Sequence, residues 1–74
     1  MFKVNDIVIL KDTLIVGQLY GVVDLRYSMT KRVPRKVQCV REVYNNKTKQ
    51  YETIYRLDDN NWYSYCMLNK YKGE

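Results

Sequence analysis

Histidine is absent from this chain of 74 residues, and cysteine, proline and glycine are scarce, with two, one and three copies. Without histidine, the commonest general base of enzymes is missing. No serine lies in a nucleophile motif, no glycine-rich phosphate loop is present, and neither Cys39 nor Cys66 has a histidine to activate it. The composition therefore argues against an enzyme, and it predicts no cofactor.

Two cysteines are too few for a disulfide framework, and the first ten residues lack a signal-peptide layout because Asp6 interrupts the apolar run. We therefore expect reduced thiols and a cytoplasmic location. A closed zinc site needs about four ligands, so only a site shared across a dimer remains open as an alternative. The chain has no run of 18 apolar residues, which predicts no membrane span.

The central feature of the sequence is a pair of β-rich runs, residues 36–44 (KVQCVREVY) and 51–57 (YETIYRL), joined by a polar loop over residues 45–50. Alternate positions in both runs carry residues that suit one buried face. The members of this predicted face are Val37, Cys39, Val43, Thr53, Tyr55 and Leu57. An isolated two-stranded ribbon is marginal in water, so the rest of the chain is expected to cover that face.

The residues before the hairpin predict one strand, one irregular excursion and one helical turn. Residues 2–10 read as a strand with a turn at Asn5–Asp6, and residues 14–23 contain Gly17 and Gly21 at positions that suit turns. Residues 24–32 form the only helix candidate before the hairpin, with Leu25 and Met29 facing inward.

After the hairpin, the sequence predicts a tight turn, a short strand, a helical turn and a loose tail. The turn lies at residues 58–61 (DDNN), the strand at residues 62–63 and the helical turn at residues 64–68. The polar residues 69–74 are expected to fray. Together these elements predict a single domain over residues 1–74, mainly β, with a small five-stranded antiparallel SH3-like barrel and a short helical turn. An oligonucleotide-binding five-stranded barrel is the alternative.

Scattered positions over most of the chain resemble a group of small uncharacterised phage and prophage proteins of Gram-positive bacteria. They are residues 2–8 (FKVNDIV), 11–12 (KD), 16–17 (VG), 20–21 (YG), Met29, residues 55–58 (YRLD), 62–63 (WY) and 67–68 (ML). Asn5 and Val22 stand where such proteins usually have glycine. The resemblance implies an SH3-like barrel in a bacterial host cytoplasm and no particular activity. By size and origin alone, host-defence inhibitors such as anti-CRISPR proteins are an analogy.

The net charge of +5 is concentrated in residues 31–49, which hold seven lysines and arginines against Glu42 alone. Such a concentration can neutralise phosphates, and nearby tyrosines can stack on bases. The candidate contacts with a nucleic acid or with another partner are Lys31, Arg32, Arg35, Lys36, Lys47, Lys49, Tyr44 and Tyr51.

Two other interpretations of this segment stay open: an acidic protein surface of a host enzyme, which the chain would inhibit by contact, and a solvated basic face with no specific role. The sequence suits a monomer or a weak homodimer. Trp62 is expected in the core or at its rim. If it is exposed beside residues 14–23, it would resemble the peptide groove of SH3-like barrels, although that loop lacks the usual acidic residues.

Overall fold

The computed structural model describes residues 1–72. These residues form seven strands and two 3₁₀ turns. The strands are β1 (Ile7–Leu10), β2 (Leu19–Tyr20), β3 (Val23–Asp24), β4 (Arg35–Asn45), β5 (Gln50–Leu57), β6 (Trp62–Ser64) and β7 (Leu68–Lys70), and the 3₁₀ turns are Tyr27–Met29 and Tyr65–Met67. No helix in this part of the chain is long and apolar enough to cross a membrane.

The strands form two antiparallel sheets. One has five strands in the order β6-β5-β4-β1-β7, and the other pairs β2 with β3. The predicted small β domain is therefore confirmed. The five-stranded sheet is not closed over the described residues, because β6 and β7 lie at its two edges and do not pair with each other.

The last strand corrects the expectation of a loose tail. Leu68–Lys70 pairs with β1, with Leu10 opposite Leu68 and Val8 opposite Lys70. The pairing orders these residues because Leu68 is buried in the core beside Val8 and Leu10. Residues 73–74, which the predicted tail also included, lie outside the described part.

The predicted hairpin is present as β4 and β5, and one extra residue interrupts its ladder. Val37 lies opposite Leu57, but the next pair joins Cys39 to Arg56, so Gln38 is a β-bulge. Beyond the bulge, Val40 pairs with Tyr55. An extra residue shifts the side-chain alternation by one position. Odd-numbered residues of β4 therefore share the face of Tyr55 before the bulge, and even-numbered residues share it after the bulge.

The predicted buried face is therefore confirmed on β5 and wrong on part of β4. Thr53, Tyr55 and Leu57 are buried on β5. On β4, Val37 shares their face, but Cys39 and Val43 lie on the other face and are only half-buried. The bulge is the physical reason for the difference.

One core joins the five-stranded sheet to the segment before β4. Leu25 and Met29 point inward as predicted and are almost fully buried, although only Tyr27–Met29 is helical. Phe2 packs edge-on against Tyr55, with the ring centroids 5.3 Å apart. The buried apolar residues are Val8, Leu10, Leu25, Met29, Val37, Tyr55, Leu57, Tyr63, Met67 and Leu68.

Positive φ angles mark the turns that the sequence predicts. Gly17 and Gly21 have φ of 89° and 64°, a region that glycine enters without strain. Asn5 adopts φ of 80° in the turn before β1, a region that asparagine enters more readily than most residues. Gly21 also packs closely, because a Cβ there would lie 2.8 Å from Ser64 Oγ and closer still to Glu52 Oε1.

Candidate nucleic-acid interface

The basic residues of the 31–49 segment do not form one patch. β4 runs ten residue steps from Arg35 to Asn45, or about 30 Å at the usual rise per strand residue, in a molecule whose longest dimension is 38 Å. The candidates fall into a proximal basic group (Lys31, Arg32, Arg35, Lys36) and a distal basic group (Lys47, Lys49) at opposite ends of the strand. The single surface expected from the sequence is therefore corrected to two separate regions.

The proximal basic group is partly used inside the protein. Arg35 lies 3.3 Å from an Asp58 carboxylate oxygen and 3.5 Å from an oxygen of Asp59. Arg32 donates through Nε to the Leu10 carbonyl oxygen at 2.9 Å. Two of the four proposed contacts thus also bond within the fold, while Lys31, Arg32 and Lys36 are all exposed to solvent.

Asp59 is the centre of this internal network. Its Oδ2 accepts a 2.6 Å hydrogen bond from the Tyr63 hydroxyl, and its Oδ1 accepts one from the Asn61 backbone at 3.1 Å. Burial alone would raise the pKa of Asp59, but the hydrogen bonds from Tyr63 and Asn61, aided by Arg35, outweigh it and hold that pKa below its ordinary value. Burial first, and then the hydrogen bond to Asp59, raise the pKa of Tyr63. The acidic pair after β5 therefore has a structural role in the turn.

The distal basic group lies beside two exposed tyrosines. Tyr44 and Tyr51 form a cross-strand pair on β4 and β5, with ring centroids 5.3 Å apart in an edge-on arrangement. They are 46% and 71% exposed, so stacking surface is available. The structure thus brings these predicted tyrosines close to Lys47 and Lys49 in the turn that follows β4.

Asn45 builds that turn. Its side-chain oxygen accepts from the backbone nitrogens of Lys47 at 2.9 Å and Thr48 at 3.4 Å, and its side-chain nitrogen donates to Glu52 Oε2 at 2.9 Å. Lys49 adopts φ of 60° to close the turn onto Asn45. The backbone of the two lysines is therefore fixed by a buried asparagine, while their side chains are exposed.

A second arrangement, absent from the predicted contacts, joins Arg41, Arg56 and Trp62, here called the Arg–Trp cluster. The guanidinium carbons of Arg41 and Arg56 lie 5.1 and 5.9 Å from the centroid of the Trp62 ring, which is cation–π distance. Arg56 is the direct cross-strand partner of Trp62. Within residues 1–72, neither arginine has a carboxylate within ion-pair distance.

The bulge explains why sequence reasoning missed this cluster. Arg41 pairs with Ile54, and Arg56 is two residues further along β5, so Arg41, Arg56 and Trp62 share one face. The pairing of Arg56 with Trp62 could be predicted from the short turn at residues 58–61. The position of Arg41 could not be predicted, because it depends on the extra residue at Gln38.

An open groove of about 310 Å³ adjoins the cluster. It lies between the β2–β3 hairpin and the turn that precedes β6, with Trp62 at one side. Arg26 brings a further guanidinium and Asp24 a carboxylate to its wall. The groove is lined by Val22, Val23, Asp24, Arg26, Asn60, Asn61 and Trp62.

This arrangement offers a flat aromatic ring, two guanidinium groups that have no acidic partner among the described residues, and an adjacent cleft. Guanidinium and indole planes stack on nucleobases, and guanidinium groups also bind phosphate. Over residues 1–72, no three side chains among Cys, Asp and Glu are close enough together to hold a metal ion. Comparison with models of protein families, with curated proteins and with solved structures found no match for this chain.

Proposed function

We propose that this protein is a non-enzymatic binding module that holds a single strand of nucleic acid at the Arg–Trp cluster. The observation that carries the proposal is the position of Arg41 and Arg56 against Trp62, on one face and without acidic partners in the described chain. Phosphate neutralisation and base stacking are the two contributions that sequence-tolerant single-strand binders combine.

Single-stranded nucleic acid fits this surface better than a duplex. An indole ring contacts the face of a base only when that base is unstacked, as it is in a single strand. The groove beside Trp62 gives the adjoining nucleotides a place to lie. The exposed Lys47 and Lys49, with Tyr44 and Tyr51, form a second basic and aromatic region at the far end of the molecule, which suits a longer strand.

The test is a titration of a fluorescein-labelled oligothymidylate of about 15 nucleotides, a length that spans one small binding domain. Anisotropy is followed between about 50 and 200 mM salt, where the affinity should fall with rising salt because the release of counterions from the strand becomes less favourable. Replacement Trp62→Ala should weaken binding about 5- to 150-fold, because stacking on one aromatic ring contributes about 1–3 kcal/mol. Replacement Arg41→Ala should reduce the salt slope by about 0.7.

Two controls separate the cluster from the rest of the surface. Tyr27→Ala removes an aromatic ring that is 82% exposed and outside the cluster, so it should leave binding unchanged. The double variant Lys47→Ala/Lys49→Ala should lower the salt slope without the large loss of affinity caused by Trp62→Ala. Absence of salt-dependent binding to single- or double-stranded DNA or RNA would end the proposal, and a loss confined to the lysine variant would move the site to the distal basic group.

A second candidate function is inhibition of a host nucleic-acid or defence enzyme by protein contact. What favours it is the exposure of apolar side chains around the β2–β3 hairpin. These are Ile15 (61%), Val16 (49%), Leu19 (42%) and Val22 (36%). Clustered exposed apolar residues are common in protein interfaces. A stoichiometric complex that survives nuclease treatment and is lost in Ile15→Ser/Leu19→Ser would support this function, and recovery of the bare protein would count against it.

The phage or prophage origin, the bacterial cytoplasm and the SH3-like arrangement are part of the same proposal. Their support is the resemblance carried by scattered residues, together with the antiparallel order of β1, β4, β5, β6 and β7 and the 3₁₀ turn between the last two strands.

A further inference from the structure

The distal half of β4 has a hydrogen-bonding partner on only one side. β1 pairs with β4 at Lys36 and Arg35, and the backbone of Val37 bonds to Asn5 and Asp6. Beyond the bulge, β4 pairs with β5 alone. Apart from their bonds to β5, residues 38–45 of this strand make no backbone hydrogen bond to a strand of the described chain. Their outer side is therefore an open edge.

The backbone groups that face outward can be assigned from the two ends of the strand. The Asn45 carbonyl accepts from Lys49 at the hairpin turn, so the Asn45 peptide groups point toward β5. Because successive residues of a strand point in opposite directions, the N–H and C=O groups of Val40, Glu42 and Tyr44 point away from β5. The backbone groups of Val37 also point away from β5, as its bonds to Asn5 and Asp6 show. The bulge explains why an odd-numbered residue points outward before it and even-numbered residues point outward after it.

This edge lacks two of the devices that commonly protect sheet edges. Natural edges carry lysine, proline or a covering segment, whereas residues 38–45 (QCVREVYN) contain neither residue type. Glu42 is the only charged residue among the three whose backbone groups point outward. On the same face of the sheet, Val40 and Tyr44 flank it and are 39% and 46% exposed.

A second copy of this chain suits the edge less well than a foreign strand. Antiparallel pairing about a two-fold axis perpendicular to the sheet places one residue opposite itself. Centred on Glu42, it sets two carboxylates face to face, and centred on Arg41 it sets two guanidinium groups face to face; like charges directly opposite are destabilising. Centred on Val40, it places Glu42 opposite Gln38, which lies in the bulge and breaks the regular ladder. Centred on Val43, it brings no like charges together, but Val40 then falls opposite Asn46 in the hairpin turn, so only Glu42 and Tyr44 of the three outward residues gain a partner.

We therefore propose that the open edge of β4 binds an extended segment of another protein as an added strand. The partner segment carries a lysine or arginine opposite Glu42 and apolar residues two positions to either side, opposite Val40 and Tyr44. Backbone bonds to the edge supply affinity, and the side chains at alternate positions supply selectivity. This inference is independent of nucleic-acid binding, because Arg41, Arg56 and Trp62 lie on the opposite face.

The probe is a synthetic peptide of about seven residues, the length that matches the edge, with threonine at alternate positions and valine, lysine and valine between them. A matched peptide has glutamate in place of lysine. Amide NMR shifts of the full chain are followed at millimolar peptide. The lysine peptide should shift the amides of Val40, Glu42 and Tyr44, and it should bind about two- to fivefold more tightly than the glutamate peptide.

Two variants at one position complete the test. Glu42→Pro removes an outward N–H without removing a bond to β5, and edge positions tolerate proline, so the fold should survive and peptide binding should be lost. Glu42→Lys should reverse the preference between the two peptides, and this reversal does not depend on how well the proline variant folds.

Three results would overturn the inference. They are the absence of peptide-induced shifts, binding that Glu42→Pro leaves intact in a folded variant, and a preference that Glu42→Lys does not change. Sedimentation of the chain alone provides a further arm. If the chain forms a dimer that Glu42→Gln strengthens and Glu42→Pro abolishes, the occupant of the edge is a second copy of the chain and not a foreign strand.

Discussion

Replacement of Asp59 by asparagine tests whether the network beside β6 holds the end of the β5–β6 turn. Asp59 accepts hydrogen bonds from Tyr63 and Asn61 and lies 3.5 Å from Arg35. Its side chain is only 14% exposed, and Tyr63 is part of the core. The change therefore removes a charge from a site where its partners are largely shielded from water.

The expected cost follows from these contacts. A hydrogen bond to a charged group contributes about 1.5–3 kcal/mol. Asparagine keeps one acceptor oxygen, so it can satisfy either the Tyr63 hydroxyl or the Asn61 backbone, but not both at full strength. We expect Asp59→Asn to lower the free energy of unfolding by about 1–2 kcal/mol at neutral pH, which is about 4–16 °C in Tm for a domain of this size.

The pH dependence gives the sharper measurement. The folded protein lowers the pKa of Asp59 below 3.8, so its contribution is fully present above pH 3.8 and is lost as the pH falls through the lowered value. Urea unfolding between pH 2 and 7 should show the difference between wild type and Asp59→Asn shrinking in acid. Tyr63 has a pKa raised above 10.0, so its contribution holds below pH 10 and is lost as the pH rises through the raised value.

Asp58→Asn is the matched control. Asp58 also pairs with Arg35, at 3.3 Å, but its side chain is 42% exposed, and surface ion pairs contribute about 0–1 kcal/mol. It should therefore cost less than Asp59→Asn. If the two variants lose equal stability, or if the difference between wild type and Asp59→Asn persists unchanged in strong acid, the reasoning from burial and hydrogen bonding is refuted.

Two further predictions concern stability away from this network. Gly21→Ala should lower the free energy of unfolding by at least about 2 kcal/mol, because a steric conflict with two packed side chains adds to the cost of a positive φ. Gly17→Ala should cost only about 1–2 kcal/mol, because nothing lies within 4 Å of its added Cβ. Equal losses in thermal unfolding would contradict this. Arg32→Ala should lower the free energy of unfolding in urea by about 1 kcal/mol through the lost bond to Leu10, and it should not weaken oligothymidylate binding. A loss of binding with unchanged stability would mean that Arg32 contacts the nucleic acid.

The parts of the fold that follow from local chemistry could be predicted. Alternation on β5 identified Thr53, Tyr55 and Leu57 as buried, and all three are. Gly17 and Gly21 have the positive φ that their predicted turns require. Each of these features depends on a few neighbouring residues, whose conformational preferences the sequence displays directly.

The parts that depend on partners distant in the sequence could not be predicted. Asn69 and Lys70 look polar and loose in isolation, but pairing with β1 orders them. The basic residues of the 31–49 segment are close in sequence, yet β4 is long enough to separate them to its two ends. Tyr44 and Tyr51 were expected in one region, and they do lie together because the hairpin itself makes them cross-strand neighbours.

One inserted residue, Gln38, connects the two proposed surfaces. By shifting the alternation of β4, it turns the side chain of Arg41 toward the face of Trp62. The same shift turns the backbone groups of Glu42 toward the open edge. If this account is correct, deletion of Gln38 should join Val37 directly to Cys39 and leave both surfaces in place, and a change of the Gln38 side chain should also alter neither.

Deletion of Gln38 therefore tests the register argument as a whole. Without the extra residue, Val37 and Cys39 become neighbours, and regular alternation keeps Val37 opposite Leu57 and Cys39 opposite Arg56. The fluorescence of Trp62, the single tryptophan, should therefore stay close to that of wild type because Arg41 and Arg56 keep their face. Gln38→Ala is the control and should stay within about 0.5 kcal/mol of wild type, since its side chain is exposed. A deletion variant with changed fluorescence, or one that loses the roughly 1.5–3 kcal/mol expected if the buried Val37 leaves the core, would mean that Gln38 is not the extra residue, and both proposed surfaces would lose their common structural basis.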